Sequence, residues 1–438
     1  MPVSYAQLPG LGGLRKGVSG LFTRPNVTGY LHRLMMLAVR ALLFRRIYGP
    51  ASVERGPVLY VGFHRDGAVD GWVYDIALRG RAEFLIAANL VKNPISRLFF
   101  SGIEVTRPGD GGAAASNRKG LTRAVSRLAE GGDLFVFPEG TSTLGPAHLP
   151  FQKGAAFIAA MALRSRPDLR VVPVTVRYGS PQLWGGEAEV LTGPPLDLKD
   201  AAKGGVDGIH AAMTEALEAL DPDFASERPQ EEAEALSALL PLPPARGLSC
   251  ARRFLAGLDE GPRYRYGGCG GKGSRDALVS GAELWRQYRE AARGCRTWRG
   301  AALFPKRGIV PEVLTFLASG ACVAAAAALN APAVLAGWWA GRHMPDGPNV
   351  VLLWKALAGL TVLLVAAPLL WGVLLLAGAP WAVAAHVIVT LLGCRLLDVM
   401  RRSGTRLWNF RFRRDTMPRV RPLEEALHDA VMAQYTDP

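Results

Sequence analysis

A histidine and two aspartates stand close together in the segment Phe63–Trp72, which reads FHRDGAVDGW. His64 follows an apolar run, and Asp66 and Asp70 lie two and six residues further along the chain. Histidine is the usual general base at neutral pH, and a neighbouring carboxylate holds its tautomer and stabilises the imidazolium. The spacing therefore indicates proton abstraction by His64. The alternative is a loop histidine followed by two aspartates that cap a helix, since aspartate is favoured at helix starts.

A second polar group follows another apolar run, in the segment Asp133–Ser142, which reads DLFVFPEGTS. Glu139 stands at the end of this run, with Gly140 beside it. A carboxylate at the end of a core strand, next to a glycine, allows side chain and backbone to approach a ligand closely. A Pro-Glu-Gly sequence is also common in ordinary turns, so this segment alone only suggests a site.

Both groups are predicted to lie at one edge of a β-sheet. Pro57–Phe63 is a nearly continuous apolar run, as expected for a strand that is buried on both faces. Similar runs predict strands at Glu83–Ala88, Ile103–Thr106, Asp133–Phe137 and Arg170–Arg177, and helical spacing predicts helices at Asn93–Phe100, Ala115–Ala129, Gly154–Arg164, Val206–Leu220 and Gln230–Leu240. Asn93 is expected to cap its helix, with Pro94 in the first position. This alternation indicates an α/β fold with a mostly parallel sheet flanked by helices.

Four motifs, which follow one another along the chain in the same order as in the family, resemble those of the glycerophospholipid acyltransferase superfamily. This superfamily includes lysophosphatidic acid and glycerol-3-phosphate acyltransferases. The family's first motif is a histidine, four residues and an aspartate, and its third reads FPEGT, as Phe137–Thr141 does here before Ser142. Its second motif ends in Gly-x-x-x-x-Arg and is similar to Gly102–Arg107. Its fourth is an apolar strand around Val-Pro-Val, similar to Val171–Val174.

The first motif departs from the common pattern, because five residues instead of four separate His64 from Asp70. The longer spacing, often with an asparagine two residues after the histidine, occurs in a branch resembling the dual-substrate glycerol-3-phosphate/dihydroxyacetone-phosphate acyltransferases. Members of that branch also carry a hydrophobic region after the catalytic domain. Asp66 stands where that asparagine would be. The resemblance favours Asp70 as the partner of His64 and leaves Asp66 as a competing carboxylate or a helix cap.

The resemblance implies roles for the catalytic and pocket residues. His64 would take a proton from an acceptor hydroxyl, which attacks an acyl thioester, and Asp70 would orient His64. Glu139, Gly140 and Thr141 would shape the acceptor pocket, with Glu139 bonding a glycerol hydroxyl. Such a direct transfer needs no metal and no cofactor; acyl-CoA or acyl carrier protein is the co-substrate.

Two basic residues are candidates for the acceptor phosphate. The resemblance gives this role to Arg107, whose planar guanidinium suits phosphate oxygens. A surface ion pair of Arg107 with Glu104 or Asp110 is the alternative. Lys153 precedes a predicted helix, whose start attracts anions, although a solvated lysine is the simpler interpretation.

The composition places the chain at a membrane. Its 438 residues carry a formal net charge of +14, with 49% hydrophobic and 20% charged residues. Charged residues are scarce between Val313 and Cys394, which makes the chain too apolar for a disordered or ordinary soluble protein. Five scattered cysteines without a CxxC pair exclude a disulfide scaffold, argue against a zinc site and fit a reducing compartment. Because no nucleic-acid motif with interleaved aromatics is present, the positive charge indicates an anionic membrane surface.

Three apolar runs after the α/β domain are long enough to enter a bilayer or nearly so. They are Val313–Ala340, Val350–Ala377 and Trp381–Cys394. The basic residues that flank them favour the cytoplasmic side. We therefore expect the first run to dip into the membrane and return at Asn330–Pro332, and Val350–Arg395 to form a hairpin around Ala379 and Pro380.

Two further segments carry basic residues. Leu31–Ile47 has helical spacing with interspersed arginines, which predicts a helix that packs on the domain or lies on the membrane facing phosphates. Ala245–Trp298 is basic with a glycine-rich centre, Tyr266–Ser274, which is typical of a flexible linker.

The predicted division of the chain has five parts. They are a basic leader with an amphipathic helix (1–50), an α/β acyltransferase domain (51–240), a helical or flexible basic insert (241–308), a membrane region (309–397, re-entrant over 313–340 and a hairpin over 350–395) and a basic cytoplasmic tail (398–438).

The sequence thus predicts an integral-membrane acyltransferase whose catalytic domain lies on the cytoplasmic face of the cell (inner) membrane. It would transfer a fatty acyl group to a hydroxyl of glycerol-3-phosphate or lysophosphatidate in phospholipid biosynthesis. The expected partners are a bilayer with anionic lipids, an acyl thioester donor and a phosphorylated glycerol acceptor, and no nucleic acid. The alternatives are a lysophospholipid-remodelling acyltransferase, a thioesterase that uses the same His–Asp pair, and a non-catalytic membrane scaffold.

Overall fold

In the computed structural model, a seven-stranded sheet forms the centre of the α/β domain. The structure describes residues 27–54, 56–92, 96–106, 114–257, 264–266, 277–299 and 301–433, without the side chains of 27–31, 114–117, 264–266 and 277–278. The strands are β1 (Phe44–Tyr48), β2 (Val58–Gly62), β3 (Ala82–Ala87), β4 (Ile103–Val105), β5 (Asp133–Val136), β6 (Arg170–Tyr178) and β7 (Gly186–Thr192). Their order is β1-β7-β6-β2-β5-β3-β4, and neighbours are parallel except for β6 and β7. The predicted mostly parallel sheet is confirmed.

Helices cover both faces of this sheet. They are α1 (Val27–Ala38), α2 (Val69–Ala77), α3 (Ser96–Phe99), α4 (Ala114–Ala129), α5 (Gly154–Leu163), α6 (Gly205–Leu220), α7 (Glu227–Leu239) and α8 (Pro244–Ala256). All five residues of β2 are buried, because one face packs on α2 and the other on α5. Burying one valine or leucine side chain of β2 stabilises the fold by about 1.5–3 kcal/mol. The predicted cap Asn93 and the following Pro94 lie outside the described residues.

The strand register brings three chain segments to one edge of the sheet. Val61 of β2 lies opposite Val136 of β5 on one side and Pro173 of β6 on the other. The residues that follow β2 and β5, and the last residue of β6, therefore meet at the carboxyl edge. In open α/β sheets this is the edge at which ligand sites form.

The first helix ends earlier than its spacing predicted. α1 continues as a π-helical turn over Val39–Leu43, but Phe44–Tyr48 forms β1 and pairs with β7, so the helix predicted through Ile47 is wrong at its end. The open edge of β7 offers backbone groups to a strand, and Phe44 is buried against the ring of Tyr178. These tertiary interactions outweigh the helical spacing. The leader, residues 1–26, lies outside the described residues.

The C-terminal part of the chain is helical and apolar. Its helices are α10 (Ile309–Leu329), α11 (Ala331–His343), α12 (Val351–Leu376) and α13 (Pro380–Phe412). Of the described helices, α10, α12 with the turn before it, and α13 are long and apolar enough to cross a membrane. The breaks between the helices fall at Asn330 and at 377–379, the two places where the sequence was expected to turn.

These helices pack as two antiparallel pairs. Along the first pair, Gly393 of α13 lies against Ala326 of α10, and Asn330 donates to Thr390 Oγ1 over 2.9 Å. In the second pair, Gly359 of α12 lies against Gly337 of α11. Because Asn330 stands level with Thr390, ten residues from the start of α13, the turn between α10 and α11 stops about 15 Å short of the hairpin tip. The number of membrane crossings stays a prediction.

The third apolar run is longer than Trp381–Cys394, because α13 continues without a break to Phe412. The chain after it folds back as α14 (Met417–Met432), which packs with α8 and α9 (Gly281–Ala291) in a separate hydrophobic cluster. Most of the predicted basic tail, residues 398–432, thus belongs to folded helices, and its cytoplasmic position stays a prediction. The glycine-rich residues 267–276 lie outside the described residues, between β8 (Tyr264–Tyr266) and β9 (Ala277–Val279).

Substituting Gly393 by alanine should weaken the pairing of α10 with α13. A Cβ at Gly393 would come within 2.3 Å of the Ala326 Cβ, so the helices must separate, at a cost of about 1–3 kcal/mol. We expect a lower thermal unfolding midpoint in detergent. Gly372→Ala in α12 is the matched control, since a Cβ there meets nothing within 4 Å. Equal midpoints for the two variants would contradict the packing.

Candidate active site

His64 and Asp70 form a buried hydrogen-bonded pair at the carboxyl edge of the sheet. His64 follows the end of β2, and Asp70 lies in the first turn of α2. The His64 Nδ1 atom is 2.8 Å from Asp70 Oδ2. The turn between them passes through Gly67, whose φ of +54° is in the left-handed region that glycine tolerates. The ring of His64 stacks on Phe137, with centroids 4.2 Å apart.

The Asp70 carboxylate accepts four hydrogen bonds. Its Oδ2 receives the His64 ring and the backbone N–H groups of Arg65, at 2.6 Å, and Asp66, at 2.9 Å. Its Oδ1 receives the hydroxyl of Tyr178, the last residue of β6. Since an ionised carboxylate can only accept, His64 donates from Nδ1, and its Nε2 is left as the proton acceptor.

Tyr178 was missed at the level of sequence. It is separated from Asp70 by 108 positions, so no local spacing connects them. The only sequence feature that points to Tyr178 is its position at the end of β6, the strand with the Val-Pro-Val sequence, which lies next to β2 in the sheet.

The Asp66 side chain is buried beside the pair but does not bond to either residue. The residue is fully buried, and neither carboxylate oxygen has a hydrogen-bond partner among the described residues. Burial, and then the charge of Asp70, raise the pKa of Asp66 well above its usual value. Of the two carboxylates that the sequence offered, Asp70 is the one bonded to His64.

Glu139 fixes the backbone of His64 and Leu149. Its Oε1 accepts from the His64 N–H at 2.8 Å, and its Oε2 accepts from the Leu149 N–H at 3.0 Å. Burial raises the pKa of Glu139, against the lowering effect of these two hydrogen bonds. Each oxygen accepts one hydrogen bond from the chain itself, and the expected bond of Glu139 to a substrate hydroxyl stays a prediction. Thr143 N–H also donates to the His64 carbonyl. The segment 137–143, called the FPEGT loop below, therefore binds both the N–H and the carbonyl of His64.

A cavity of about 480 Å³ opens from His64. Apolar residues form about half of its wall, among them Met36, Trp72, Phe84, Phe99, Phe100 and Leu353. The acidic residues Asp75, Glu83 and Asp346 also line it. Thr141 and Ser142 line it near His64, whereas Glu139 and Gly140 do not. This volume is within the range of small-molecule sites, and its lining suits an apolar ligand with a polar head at His64.

A loop from the C-terminal helices closes one side of this cavity. Asp346, Gly347 and Asn349, between α11 and α12, are part of its wall. Asn349 Nδ2 donates to Ser142 Oγ at 2.6 Å and to the Ser142 carbonyl at 3.2 Å. Sequence reasoning missed this contact, because 207 positions separate the two residues. The loop ties the apolar helices directly to the FPEGT segment.

The structure describes one of the two predicted phosphate contacts. Arg107 lies outside the described residues, so its position is not assigned. Lys153 is exposed and forms an ion pair with Asp207 at 2.7 Å, and it does not line the cavity. Among the described residues, no group of three or more His, Cys, Asp or Glu side chains is arranged to hold a metal ion.

Asp66→Asn should stabilise the protein increasingly as the pH rises. Because the folded-state pKa of Asp66 is raised above the usual value for an aspartate, its carboxyl contributes stability below that usual value and loses it as the pH rises through the folded pKa. Asparagine cannot ionise and keeps the favourable neutral state. We expect thermal unfolding to show a larger gain for the variant at pH 8 than at pH 5. Asp200→Asn, at an exposed side chain, is the control, and a pH-independent gain at Asp66 would contradict a buried neutral carboxyl.

Asn349→Ala and Ser142→Ala should lower the unfolding midpoint by amounts that do not add. Asn349→Ala removes both hydrogen bonds, and Ser142→Ala removes one of the same two, the bond to Oγ. The net contribution of each bond is about 0.5–1.5 kcal/mol. The double variant should therefore be about as stable as Asn349→Ala alone, in detergent-purified protein. Additive losses would mean that the loop is not held by this contact.

Comparison with known proteins agrees with the motifs. Residues 45–177 match the protein-family model described as Acyltransferase. No curated protein sequence matches the chain. Among solved structures, one match is the crystal structure of the 1-acyl-sn-glycerophosphate (LPA) acyltransferase PlsC from Thermotoga maritima, with 17% sequence identity and a TM-score of 0.33, covering 49% of this chain and 90% of that chain. The family match spans His64, Asp70 and the FPEGT loop, and it shows that residues 45–177 form an acyltransferase domain, as the motifs of the glycerophospholipid acyltransferase superfamily predicted.

Proposed function

We propose that this enzyme transfers a fatty acyl group from acyl-CoA or acyl carrier protein to a hydroxyl of glycerol-3-phosphate or lysophosphatidate. The observation that carries the proposal is the His64–Asp70 pair within an acyltransferase domain, with His64 in the wall of a cavity that is partly lined by apolar side chains. A thioester with a long acyl chain and an acceptor with a free hydroxyl are the substrates that this combination suits.

His64 acts as the general base. With Nδ1–H held by Asp70, the Nε2 atom takes the proton of the acceptor hydroxyl while its oxygen attacks the thioester carbonyl. The tetrahedral intermediate collapses with cleavage of the C–S bond, and His64 returns the proton to the leaving thiolate. The ester product and the free thiol balance the reaction, and no covalent acyl-enzyme is required. The four donors on Asp70 keep its charge beside the imidazolium that forms transiently.

The cavity accommodates the acyl chain with its carbonyl at His64. Aromatic rings and Met36 provide apolar lining, and Thr141 and Ser142 provide polar lining from the FPEGT loop. The acceptor therefore approaches from the FPEGT side. Arg107, at the end of the second motif, remains the proposed contact for the acceptor phosphate, and Glu139 becomes a positioning residue for His64.

The apolar helices hold the catalytic domain at the bilayer surface, where an acyl chain can pass between lipid and cavity. On α1, Leu34 and Leu37 are 60% and 61% exposed, which suits a helix lying at the interface. We place the catalytic domain on the cytoplasmic side, because basic residues flank the apolar runs. The loop over 344–350 packs on the catalytic domain, which supports the same side for that loop.

His64→Ala should reduce acyl transfer by about 10²–10⁴-fold, the usual contribution of general-base catalysis. The assay uses the full chain in detergent, labelled acyl-CoA or acyl carrier protein, and four acceptors: glycerol-3-phosphate, dihydroxyacetone phosphate, lysophosphatidate and lysophosphatidylcholine. Asp70→Asn should lose activity by a similar order, because the wrong tautomer of His64 would be favoured. His428→Ala is the control, at an exposed histidine beside Asp429 on α14.

The products distinguish the remaining alternatives. An acylated glycerol phosphate supports the proposal, and transfer only to lysophosphatidylcholine would indicate a remodelling enzyme. Release of free fatty acid without an acceptor product would indicate a thioesterase. Turnover that His64→Ala leaves unchanged would contradict the proposed mechanism, and absence of any product would favour a scaffold.

A further inference from the structure

A second cavity, of about 310 Å³, lies immediately behind the catalytic histidine. His64 lines the first cavity, and the next residue, Arg65, lines the second. The loop between α11 and α12 also contributes to both cavities: Asn349 borders the first cavity and Pro348 the second. The two cavities are thus lined by neighbouring residues of the same two segments.

Three arginines from distant parts of the chain line this second cavity. Arg65 follows β2, Arg177 lies on β6, and Arg299 comes from the segment between α9 and α10. Arg65 and Arg177 are only 3% and 8% exposed. Arg299 stands outside the segment that matches the acyltransferase family model, so this site depends on a part of the chain added to that domain.

Each guanidinium keeps an N–H without a hydrogen-bond partner among the described residues. The atoms are Arg65 Nη1, Arg177 Nε and Arg299 Nε. The remaining groups are partly occupied: Arg65 Nη2 donates to the Gly145 carbonyl at 3.1 Å, and Arg299 Nη1 donates to Ser237 Oγ at 3.2 Å. A buried donor that finds no acceptor is costly, so these arginines are prepared for a ligand that supplies several acceptor oxygens.

Positive charge exceeds negative charge in the wall of this cavity. Glu234 is a carboxylate that lines it together with the three arginines. Asp221, behind the wall, is engaged by Arg177 and by Thr175 Oγ1. Burial, and then the charge of Arg177, lower the pKa of Arg65 to about 10. An anion bound between these side chains would relieve both the burial cost and the mutual repulsion.

We infer that this cavity binds a phosphate group of a substrate, held by Arg65, Arg177 and Arg299. The planar guanidinium donates two parallel hydrogen bonds to phosphate oxygens, which is the reason arginine is used for such sites. The inference rests on the proposed function for its choice of ligand. Two substrates carry the required chemistry, the acceptor glycerol-3-phosphate and the phosphates of CoA in the acyl donor, and the test distinguishes them.

The test is a calorimetric titration of the full chain in detergent, carrying His64→Ala so that no turnover occurs. The ligands are glycerol-3-phosphate with glycerol as its phosphate-free counterpart, and CoA with pantetheine as its counterpart. The variants are Arg65→Gln and Arg299→Gln, with Arg299→Lys to restore charge. Arg293→Gln is the matched control, since Arg293 is an exposed arginine of the same segment. Substitution of Arg177 is avoided, because it would leave Asp221 buried without its partner.

We expect one of the two phosphate ligands to bind at least about tenfold more weakly to Arg65→Gln and Arg299→Gln, with partial recovery in Arg299→Lys and no change in Arg293→Gln. Loss for glycerol-3-phosphate assigns the cavity to the acceptor, and loss for CoA assigns it to the donor. Equal binding by all variants, or no binding of either ligand, would overturn the inference. Because binding is measured without catalysis, failure of the acyl-transfer assay leaves this result independent.

Discussion

The hydrogen bonds on the Asp70 carboxylate are the interaction on which the site depends. One side chain joins the loop after β2, the first turn of α2 and the end of β6, through His64, two backbone N–H groups and Tyr178. A buried carboxylate is unfavourable unless its oxygens are satisfied, so the charge that catalysis requires is also what holds these elements together. The orientation of His64 follows from this arrangement, because its backbone is fixed separately by Glu139 and Thr143.

The FPEGT loop connects this core to the rest of the molecule. On its inner side Glu139 holds the backbone of His64, and on its outer side Ser142 receives Asn349 from the loop between α11 and α12. The apolar helices therefore contribute a wall to the active site instead of serving only as an anchor. Asn349 makes two hydrogen bonds to Ser142, and Val350 and Leu353 pack in the same hydrophobic cluster as Phe137, so the start of α12 and the FPEGT loop are directly joined.

Much of this could be predicted from the sequence, because it is encoded locally. β2, β5 and β6 are buried on both faces, so each reads as an apolar run, and the polar residue that follows marks the carboxyl edge of the sheet. The turn at Asn330 is likewise marked by the Asn-Ala-Pro sequence. The partners that sequence reasoning missed, Tyr178 and Asn349, are joined to the site only by tertiary packing. β1 was misassigned for a related reason: its pairing with β7, more than 140 positions away, decides its conformation, and the helical spacing of its residues does not reveal that edge.

The excess of 51 Lys and Arg over 37 Asp and Glu has more than one physical origin. The positive charge predicts an anionic membrane surface, yet two arginines after the third apolar run bond to the chain itself: Arg395 donates to the Arg45 carbonyl and Arg401 to the Trp184 carbonyl. These bonds attach α13 to the β1–β7 end of the sheet, at the point where the helix leaves its apolar stretch. Since Arg395 follows the start of α13 by fifteen residues, the attachment lies about 22 Å from the hairpin tip along the helix. If α13 crosses the bilayer, as its length allows, a rigid junction at that depth fixes the height of the catalytic domain above the lipid. Arg395 and Arg401 thus help to position the enzyme by donating hydrogen bonds to its own backbone. Arg65, Arg177 and Arg299 form a second group, whose unpartnered N–H groups suit a phosphate ligand.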